Sequence, residues 1–365
     1  MTDDKSIYDE EREFDTPDPD AIPISERKVF TQPYDLVVDS LIDQIKSGTI
    51  FLEPLQMRPN FQRHYVWTDD LASRLIESIL LNVPIPPCYL SQNDAFELDV
   101  IDGQQRLFSI YRFCENQFAL TGLEVYTDLN KLRFHQLPSR LQRQLKTHTL
   151  RLVAVTNDSH PEIKFDVFQR LNSNTVPLNS QELRNCIYRG TLNELLKQAV
   201  TYEPWLRILG KRLPDKRMRD EELVLRFFAF HIGGLSSYRT PQKHWLNDAA
   251  KAGRRYPPER IEDLKLVWTR AIDTALTWFE PSECFRRPSD GKVRAVNRAL
   301  FDLTLHAATS TTPLGAESSR NQFRSCYAEL LSSDEFLDLV SRAVDHTSRT
   351  VRRFKLWNDA FKGVV

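Results

Sequence analysis

The sequence is poor in the residues that mark several large protein classes. Its 365 residues include only five cysteines and eleven glycines. The cysteines are scattered and form no CxxC pair, which argues against a disulfide framework or a structural zinc cluster and predicts a cytoplasmic protein. No run approaches about 18 apolar residues, so we expect no transmembrane helix. The acidic N-terminus has no apolar h-region, so we expect no secretory signal.

Several catalytic motifs are also missing. The sequence contains no GxxxxGK[ST] phosphate loop, no GxSxG nucleophile turn and no HExxH zinc motif. The late histidines, His231, His244, His306 and His346, are isolated from one another. Because an HNH-like nuclease centre needs histidines and an asparagine around one metal, we expect no such centre in this sequence.

Charge is present in near balance, but it is unevenly distributed. The chain has 49 basic and 50 acidic residues, a net charge of −1. Residues 1–28 hold ten acidic and four basic residues, so this segment carries −6 and the remaining chain carries +5. Such a composition predicts a disordered, solubilising tail. The alternative is a tail that covers a basic, nucleic-acid-facing groove.

Apolar periodicity divides the rest of the chain into two halves. In the first half, the pattern predicts helices at 34–47, 69–80, 105–116 and 138–146, strands at 49–55, 88–92, 96–101 and 149–155, and a hairpin at 117–126. Thr68 is the expected N-cap of the second helix, and the prolines of 83–87 end it. In the second half, the pattern predicts helices at 219–232, 258–279, 292–308, 318–333 and 348–361.

These patterns predict an α+β fold class with three parts. We expect an acidic tail at 1–33, a mixed α/β core at 34–200 and an all-helical domain at 201–365. The tryptophans of the helical part, Trp205, Trp245, Trp268 and Trp278, are expected to fill its core.

The pentapeptide DGQQR (102–106) is the most informative polar segment, because it lies between a predicted strand and a predicted helix. Gly103 permits a tight turn, and the helix that follows offers unpaired N–H groups and a positive dipole end to an anion. Arg106 is suited to clamp a phosphate, while Asp102 is a candidate Mg²⁺ ligand or general base. Gln104 and Gln105 carry both donors and acceptors. The alternative is a turn whose polar residues only cap a helix.

Two further loops and one basic group carry polar side chains that could bind a ligand. Gln62 and Arg63 lie between aromatic residues in PNFQRHYVW (59–67), and Asn172 follows a predicted helix. Each loop has an ordinary structural interpretation as a pinned loop or a turn. The basic group is Lys211, Arg212, Lys216 and Arg217. It is a candidate for contacts with DNA phosphates, with a solvated helix surface as the alternative.

Taken together, these motifs resemble a known family. The segments NFQRHYVW, VIDGQQRLFSIYRF, VFQRLNSNTVPLNSQELRNCIYRG and RMRDEELVLRFFAF occur in an order and spacing similar to the N-terminal domain of GmrSD-type restriction proteins. That family is ParB/sulfiredoxin-like. The resemblance implies a ParB-like α/β core followed by helices, in a protein of bacterial anti-phage or restriction systems.

The resemblance also implies roles for individual residues. It places Asp102, Gly103, Gln104, Gln105 and Arg106 at the phosphates of a nucleotide, and Asp102, Gln105 and Arg106 are the expected catalytic residues. Gln62 and Arg63 match the family's earlier QR motif, and Asn172 matches its FxRLN element. We therefore expect a nucleoside triphosphate with Mg²⁺ at Asp102, NTP hydrolysis, DNA as a partner, and a partner nuclease or oligomer as further options. The alternatives are a non-catalytic DNA-binding or sensing subunit and a nuclease that nicks DNA directly.

Overall fold

The computed structural model describes residues 28–52, 65, 67–93, 95–159, 163–165, 167–168, 179–288, 294–342 and 344–364. The chain folds as two compact units, which divide between residues 178 and 179. The described residues up to 168 are called the α/β unit below, and those from 179 onward are called the helical unit.

The α/β unit is built on a five-stranded mixed sheet. Its strands are β1 (Thr31–Pro33), β3 (Ile50–Phe51), β4 (Cys88–Gln92), β5 (Leu98–Asp102) and β7 (Leu152–Val155), in the order β1-β7-β4-β5-β3. Central β4 runs antiparallel to β5 and parallel to β7, so that Leu90 lies opposite Val100 and Ala154. A small second sheet pairs β2 (Leu36–Val37) with β6 (Thr149–Leu150).

In the described ranges, the helices that accompany this sheet include α1 (Val38–Lys46), α2 (Asp69–Leu80), α3 (Gln104–Cys114) and α4 (Ser139–Thr147). The predicted cap of α2 is confirmed, because the Thr68 hydroxyl accepts a hydrogen bond from the backbone N–H of Leu71. The helix then ends before the proline-rich stretch 83–87, as a proline lacks the N–H that a continuing helix needs.

The core of the α/β unit lies between the sheet and these helices. Leu90 of β4, Leu107 of α3 and Ile76 of α2 are fully buried in one apolar cluster. β5 passes directly into α3, so the packing of both elements holds the turn between them in a defined position. The DGQQR segment therefore stands on a rigid strand-to-helix junction.

The regular elements of the helical unit are helices throughout its described residues. They are α5 (Ser180–Ile187), α6 (Thr191–Ala199), α7 (Glu203–Leu209), α8 (Arg219–Gly233), α9 (Gln242–Ala252), α10 (Pro258–Trp278), α11 (Arg298–Thr309), α12 (Pro313–Ser332), α13 (Asp334–Leu339) and α14 (Thr347–Ala360). In the described ranges no helix combines the length and apolar character needed to cross a membrane.

Aromatic side chains fill the core of the helical unit, as the sequence predicts. Trp205, Trp268 and Trp278 are fully buried and Trp245 is nearly so. A buried ion pair joins α8 to α11, because the Arg226 guanidinium lies 2.7 Å from the Asp302 carboxylate with both side chains excluded from solvent. An unpaired charge would be costly in such a core, so the pair ties these two helices to one relative position.

The predicted fold class is confirmed: a mixed α/β region is followed by an all-helical region. The two units divide after residue 178, earlier in the chain than the border that the sequence predicts at 200. The reason is packing, since α6 (191–199) contacts α8 and α10 of the helical unit.

Three predicted elements were wrong in the described residues. Residues 34–37 were expected in the first helix, but 36–37 form β2 and the helix begins at Val38. The stretch 117–126 is not a hairpin but a series of bends, because the backbone amides of 121 and 123–126 donate to side-chain oxygens. The helix expected from residue 292 begins only at Arg298, after an Asn297 cap.

Candidate functional site

The DGQQR segment forms a strand, a left-handed glycine and a helix N-terminus in direct succession. Asp102 is the last residue of β5, Gly103 has φ +94°, and α3 begins at Gln104. An L-residue rarely adopts this φ, and a Cβ at position 103 would lie 2.7 Å from Cβ of Cys88 and closer still to its Sγ. The predicted tight turn is confirmed, and the group that approaches the glycine is Cys88 on the neighbouring strand.

Arg106 lies in the first turn of α3 and is held by three oxygen atoms. Its guanidinium lies 2.8 Å from the Asp102 carboxylate, and it also donates to the backbone carbonyls of Pro86 and Pro87. Its side chain is 16% exposed and that of Asp102 is 31% exposed. The pair therefore braces the proline-rich segment against the turn, while part of the carboxylate remains in reach of solvent.

Arg106 also lines a cleft of about 350 Å³. Pro84 and Pro86 form part of one wall, Ile110 of α3 lies on another, and His148 and Arg151 line it from the segment around β6. Burial lowers the pKa of His148, which favours the neutral imidazole. The cleft thus combines apolar walls with two guanidinium groups.

Gln105 points toward a different neighbour. Its side-chain carbonyl accepts a hydrogen bond from the backbone N–H of Trp67, at 3.3 Å. One helical turn further, the Ser109 hydroxyl lies 2.9 Å from the Tyr65 hydroxyl, and the Arg112 guanidinium stacks 4.8 Å from the centre of the Tyr65 ring. The first turn of α3 therefore has two sides, since Arg106 faces the cleft and Gln105 bonds to Trp67.

Tyr65, Ser109 and Arg112 are site neighbours that the sequence patterns did not reveal. A signal for them exists, because Gln105, Ser109 and Arg112 are spaced four and three residues apart and share one helix face. Three of the expected ligand residues, Gln62, Arg63 and Asn172, lie outside the described residues. Gln104, the first residue of α3, is partly exposed.

The described residues offer a metal ion few ligands at this turn. One oxygen of Asp102 is bonded to Arg106, a cation that competes directly with a metal. No group of three His, Cys, Asp or Glu side chains that could hold a metal is found among the described residues. A divalent ion at this turn would need ligands in addition to Asp102 and the other described side chains.

The expected DNA contacts in the helical unit are partly neutralised by carboxylates. Lys211 lies 2.9 Å from Asp215, and Arg217 lies 2.9 Å from Glu182. Arg212 and Lys216 are exposed. The structure thus separates this basic group into two paired and two outward-facing side chains.

The buried Asp215 carboxylate holds the loop 211–219 together. Its burial opposes ionisation, but hydrogen bonds from Arg219 and Lys211 lower the pKa of its carboxyl well below the ordinary value. Its backbone N–H donates to the carboxylate of Asp220, whose pKa burial raises to about 7. Two neighbouring carboxyl groups therefore titrate far apart.

Comparison with known proteins identifies one part of the chain. The model of the family described as GmrSD restriction endonuclease, N-terminal domain, matches residues 38–189. No curated protein and no solved structure matches the chain significantly. The matched range contains β4, β5, the Gly103 turn and α3, with the cleft beside them. The family's name implies a role in restriction or defence and an involvement of DNA. Residues 38–189 are therefore a GmrSD restriction endonuclease N-terminal domain.

Proposed function

We propose that this domain binds a nucleoside triphosphate at the turn 102–106, as part of a bacterial anti-phage or restriction-type system that acts on DNA. One observation carries the proposal: β5 runs through a left-handed Gly103 into the N-terminus of α3, and the glycine provides no side-chain cap for the helix. The first N–H groups of such a helix and its positive dipole end favour a phosphate.

The described side chains suit complementary roles around bound phosphates. Arg106 adds positive charge in the first turn, and its contacts with Asp102 and the proline carbonyls hold it in place. Gln104 and Gln105 supply amide groups. The resemblance to the family adds Gln62, Arg63 and Asn172, which lie outside the described residues, to the proposed site. We assign Mg²⁺ to the triphosphate rather than to a ligand set of the protein alone, with Asp102 as the carboxylate that can reach the ion or a water molecule.

Hydrolysis of the triphosphate is the second part of the proposal. Asp102 remains 31% exposed beside its ion pair, so a water molecule has access to the carboxylate. A carboxylate next to an attacking water can orient it and accept its proton. Gln105 lies on the other side of the same helical turn, where its carbonyl accepts a hydrogen bond from Trp67, and its amide group completes the proposed catalytic set. Asp102, Gln105 and Arg106 are thus the proposed catalytic residues.

Calorimetric titration with each NTP and Mg²⁺ tests the binding site. Arg106→Ala is expected to lower nucleotide affinity at least about tenfold, because it removes a charge-assisted bond and leaves Asp102 unpaired beside the phosphates. Arg106→Lys keeps the charge but loses the two-pronged geometry, so an intermediate affinity is expected. Unchanged affinity in Arg106→Ala, with the wild-type melting temperature, would refute the site.

A second assay separates three activities. Purified protein is incubated with supercoiled plasmid and Mg²⁺, with and without each NTP, while phosphate release and plasmid nicking are followed. Phosphate release that Asp102→Asn abolishes supports NTP hydrolysis. DNA binding without phosphate release or nicking supports a sensing subunit instead, and nicking without NTP supports a nuclease.

A further inference from the structure

One segment of the α/β unit has basic residues and lacks acidic ones. Residues 131–151 contain six Lys or Arg residues, and no Asp or Glu occurs between Asp128 and Asp158. The whole chain has 50 acidic residues in 365, about one in seven. So long an acid-free stretch with this many cations creates a local positive potential, although the net charge of the chain is near zero.

The structure fixes this segment firmly to the α/β unit. It comprises a 3-10 turn (Phe134–Gln136) and helix α4, whose Leu145 is fully buried. The Gln142 amide donates to the carbonyl of Leu137, and the Gln144 amide donates to the carbonyl of Leu80 on α2. The turn and the helix therefore form one rigid surface.

Carboxylates balance only part of this charge. Lys146 lies 2.9 Å from Asp39, and Arg151 lies 3.2 Å from Asp35. In the described ranges no carboxylate pairs with the remaining four cations, all of which are exposed: Lys131, Arg133, Arg140 and Arg143. Arg140 and Arg143 are three residues apart on α4, so they project from the same side of the helix. These four residues are called the α4 basic face.

We propose that the α4 basic face binds the phosphate backbone of duplex DNA. This proposal rests on the proposed function and deepens it, because it names the surface that contacts DNA. Two of the four cations expected to contact DNA in the helical unit, Lys211 and Arg217, are already paired with carboxylates. The α4 basic face takes their place in the proposal. Arg140 and Arg143 project from one side of α4, and Lys131 and Arg133 are exposed on the segment that leads into it, where Arg133 also donates to the backbone carbonyl of Asn116. Four exposed cations on one short, firmly held segment form the electrostatic footprint of a backbone-binding site.

The chemistry of the face favours a duplex over other polyanions. Residues 131–151 are all described and include no exposed large apolar side chain, and Phe134, their one phenylalanine, tyrosine or tryptophan, is buried. Single-stranded nucleic acid is bound by exposed aromatic rings on which bases stack, and a membrane surface needs exposed apolar residues. A backbone-only contact with duplex DNA requires neither of these.

The test measures the salt dependence of DNA binding by fluorescence anisotropy. Full-length protein without nucleotide is titrated into a labelled duplex of about 30 bp between about 50 and 200 mM NaCl, the range in which phosphate contacts dominate affinity. The test variant is Arg140→Gln/Arg143→Gln, since glutamine preserves helix propensity at exposed positions. The matched control is Lys355→Gln/Lys362→Gln, which removes two exposed cations of the helical unit that have no proposed role in DNA binding.

Each lost phosphate contact is expected to reduce the slope of log K against log salt by about 0.9, so the test variant should lose about 1.8. Over a fourfold increase in salt, wild-type affinity should then fall about 12-fold more than that of the variant. The control should keep the wild-type slope, and both variants should keep the wild-type melting temperature.

Several outcomes would overturn the inference: a slope unchanged in Arg140→Gln/Arg143→Gln, an equal loss in the control, or no duplex binding by the wild type at the lowest salt. Preferential binding of anionic vesicles or single-stranded RNA would overturn it as well. Calorimetry with NTP on the same variant separates this result from the proposed function. If Arg140→Gln/Arg143→Gln binds NTP normally and its DNA slope is unchanged, the proposed DNA surface is refuted and the proposed nucleotide site is not.

Discussion

Substitution of Gly103 by alanine tests whether the glycine serves the fold or only a ligand. Gly103 has φ +94°, and a Cβ at this position would lie 2.7 Å from Cβ of Cys88 and closer to its Sγ. Cys88 begins the central strand β4 and is itself buried, so it has little room to move. Gly103→Ala should therefore destabilise the α/β unit even when no ligand is present.

The expected size of the effect follows from two contributions. An alanine forced into this backbone conformation costs about 1–3 kcal/mol. Overpacking against Cys88 costs a further amount of about 1–3 kcal/mol. A loss of about 4 kcal/mol lowers the melting temperature of a unit of this size by roughly 10 °C.

Thermal denaturation of four proteins separates the two contributions: wild type, Gly103→Ala, Cys88→Ala and the double variant. Cys88→Ala removes the Sγ atom but keeps the Cβ, so it relieves part of the overpacking and none of the backbone strain. The cost of Gly103→Ala should therefore be smaller by about 1–2 kcal/mol when Cys88 is alanine.

Two results would refute this reasoning. If Gly103→Ala melts at the wild-type temperature and loses only nucleotide affinity, the glycine is needed for ligand approach and not for packing. If the cost is the same with Cys88 and with alanine at position 88, the Sγ contact contributes nothing, and backbone strain together with the remaining Cβ contact explains the effect.

Two further predictions concern pH and charge. Burial raises the pKa of Asp220 to about 7. Between the ordinary Asp pKa and about pH 7, the folded chain therefore keeps a proton that the unfolded chain has released. Stability falls as the pH rises through this window. The free energy of unfolding of Asp220→Asn should therefore rise by up to about 3 kcal/mol relative to that of wild type between about pH 5 and pH 8 in denaturant titrations. A difference between the two proteins that does not change with pH would contradict this prediction. Deleting residues 1–28, which carry −6, should strengthen duplex DNA binding at low salt and leave the melting temperature unchanged. Equal affinity with and without these residues would assign them a solubilising role.

Local signals in the sequence predicted several elements of the fold. Helices with a regular apolar stripe, such as α2 and α10, lie close to their expected positions, and the Thr68 cap is in place. The strand-to-helix turn at Gly103 also follows from local chemistry, because a glycine after a strand and before a helix adopts the conformation that other residues avoid. Such features depend on neighbours within a few residues.

The segment 117–126 shows why other elements escaped prediction. Its alternation resembles a hairpin, but the buried Glu77 carboxylate on α2 accepts the backbone N–H groups of Glu124, Val125 and Tyr126. Burial opposes ionisation of Glu77, yet these three bonds lower the pKa of its carboxyl. A carboxylate far away in sequence thus satisfied amides that a strand partner would otherwise have paired.

The same distinction applies to the basic residues. Arg286 and Arg353 belong to basic groups in the sequence, yet both are buried, where Arg286 donates to backbone carbonyls and Arg353 lies 3.5 Å from Asp302. Composition and periodicity by themselves determined the fold class, most helices and the glycine turn, because these rest on local geometry. Only the tertiary structure decided which cations face solvent, as that depends on carboxylates such as Asp302 and Glu182 that folding brings in from distant positions.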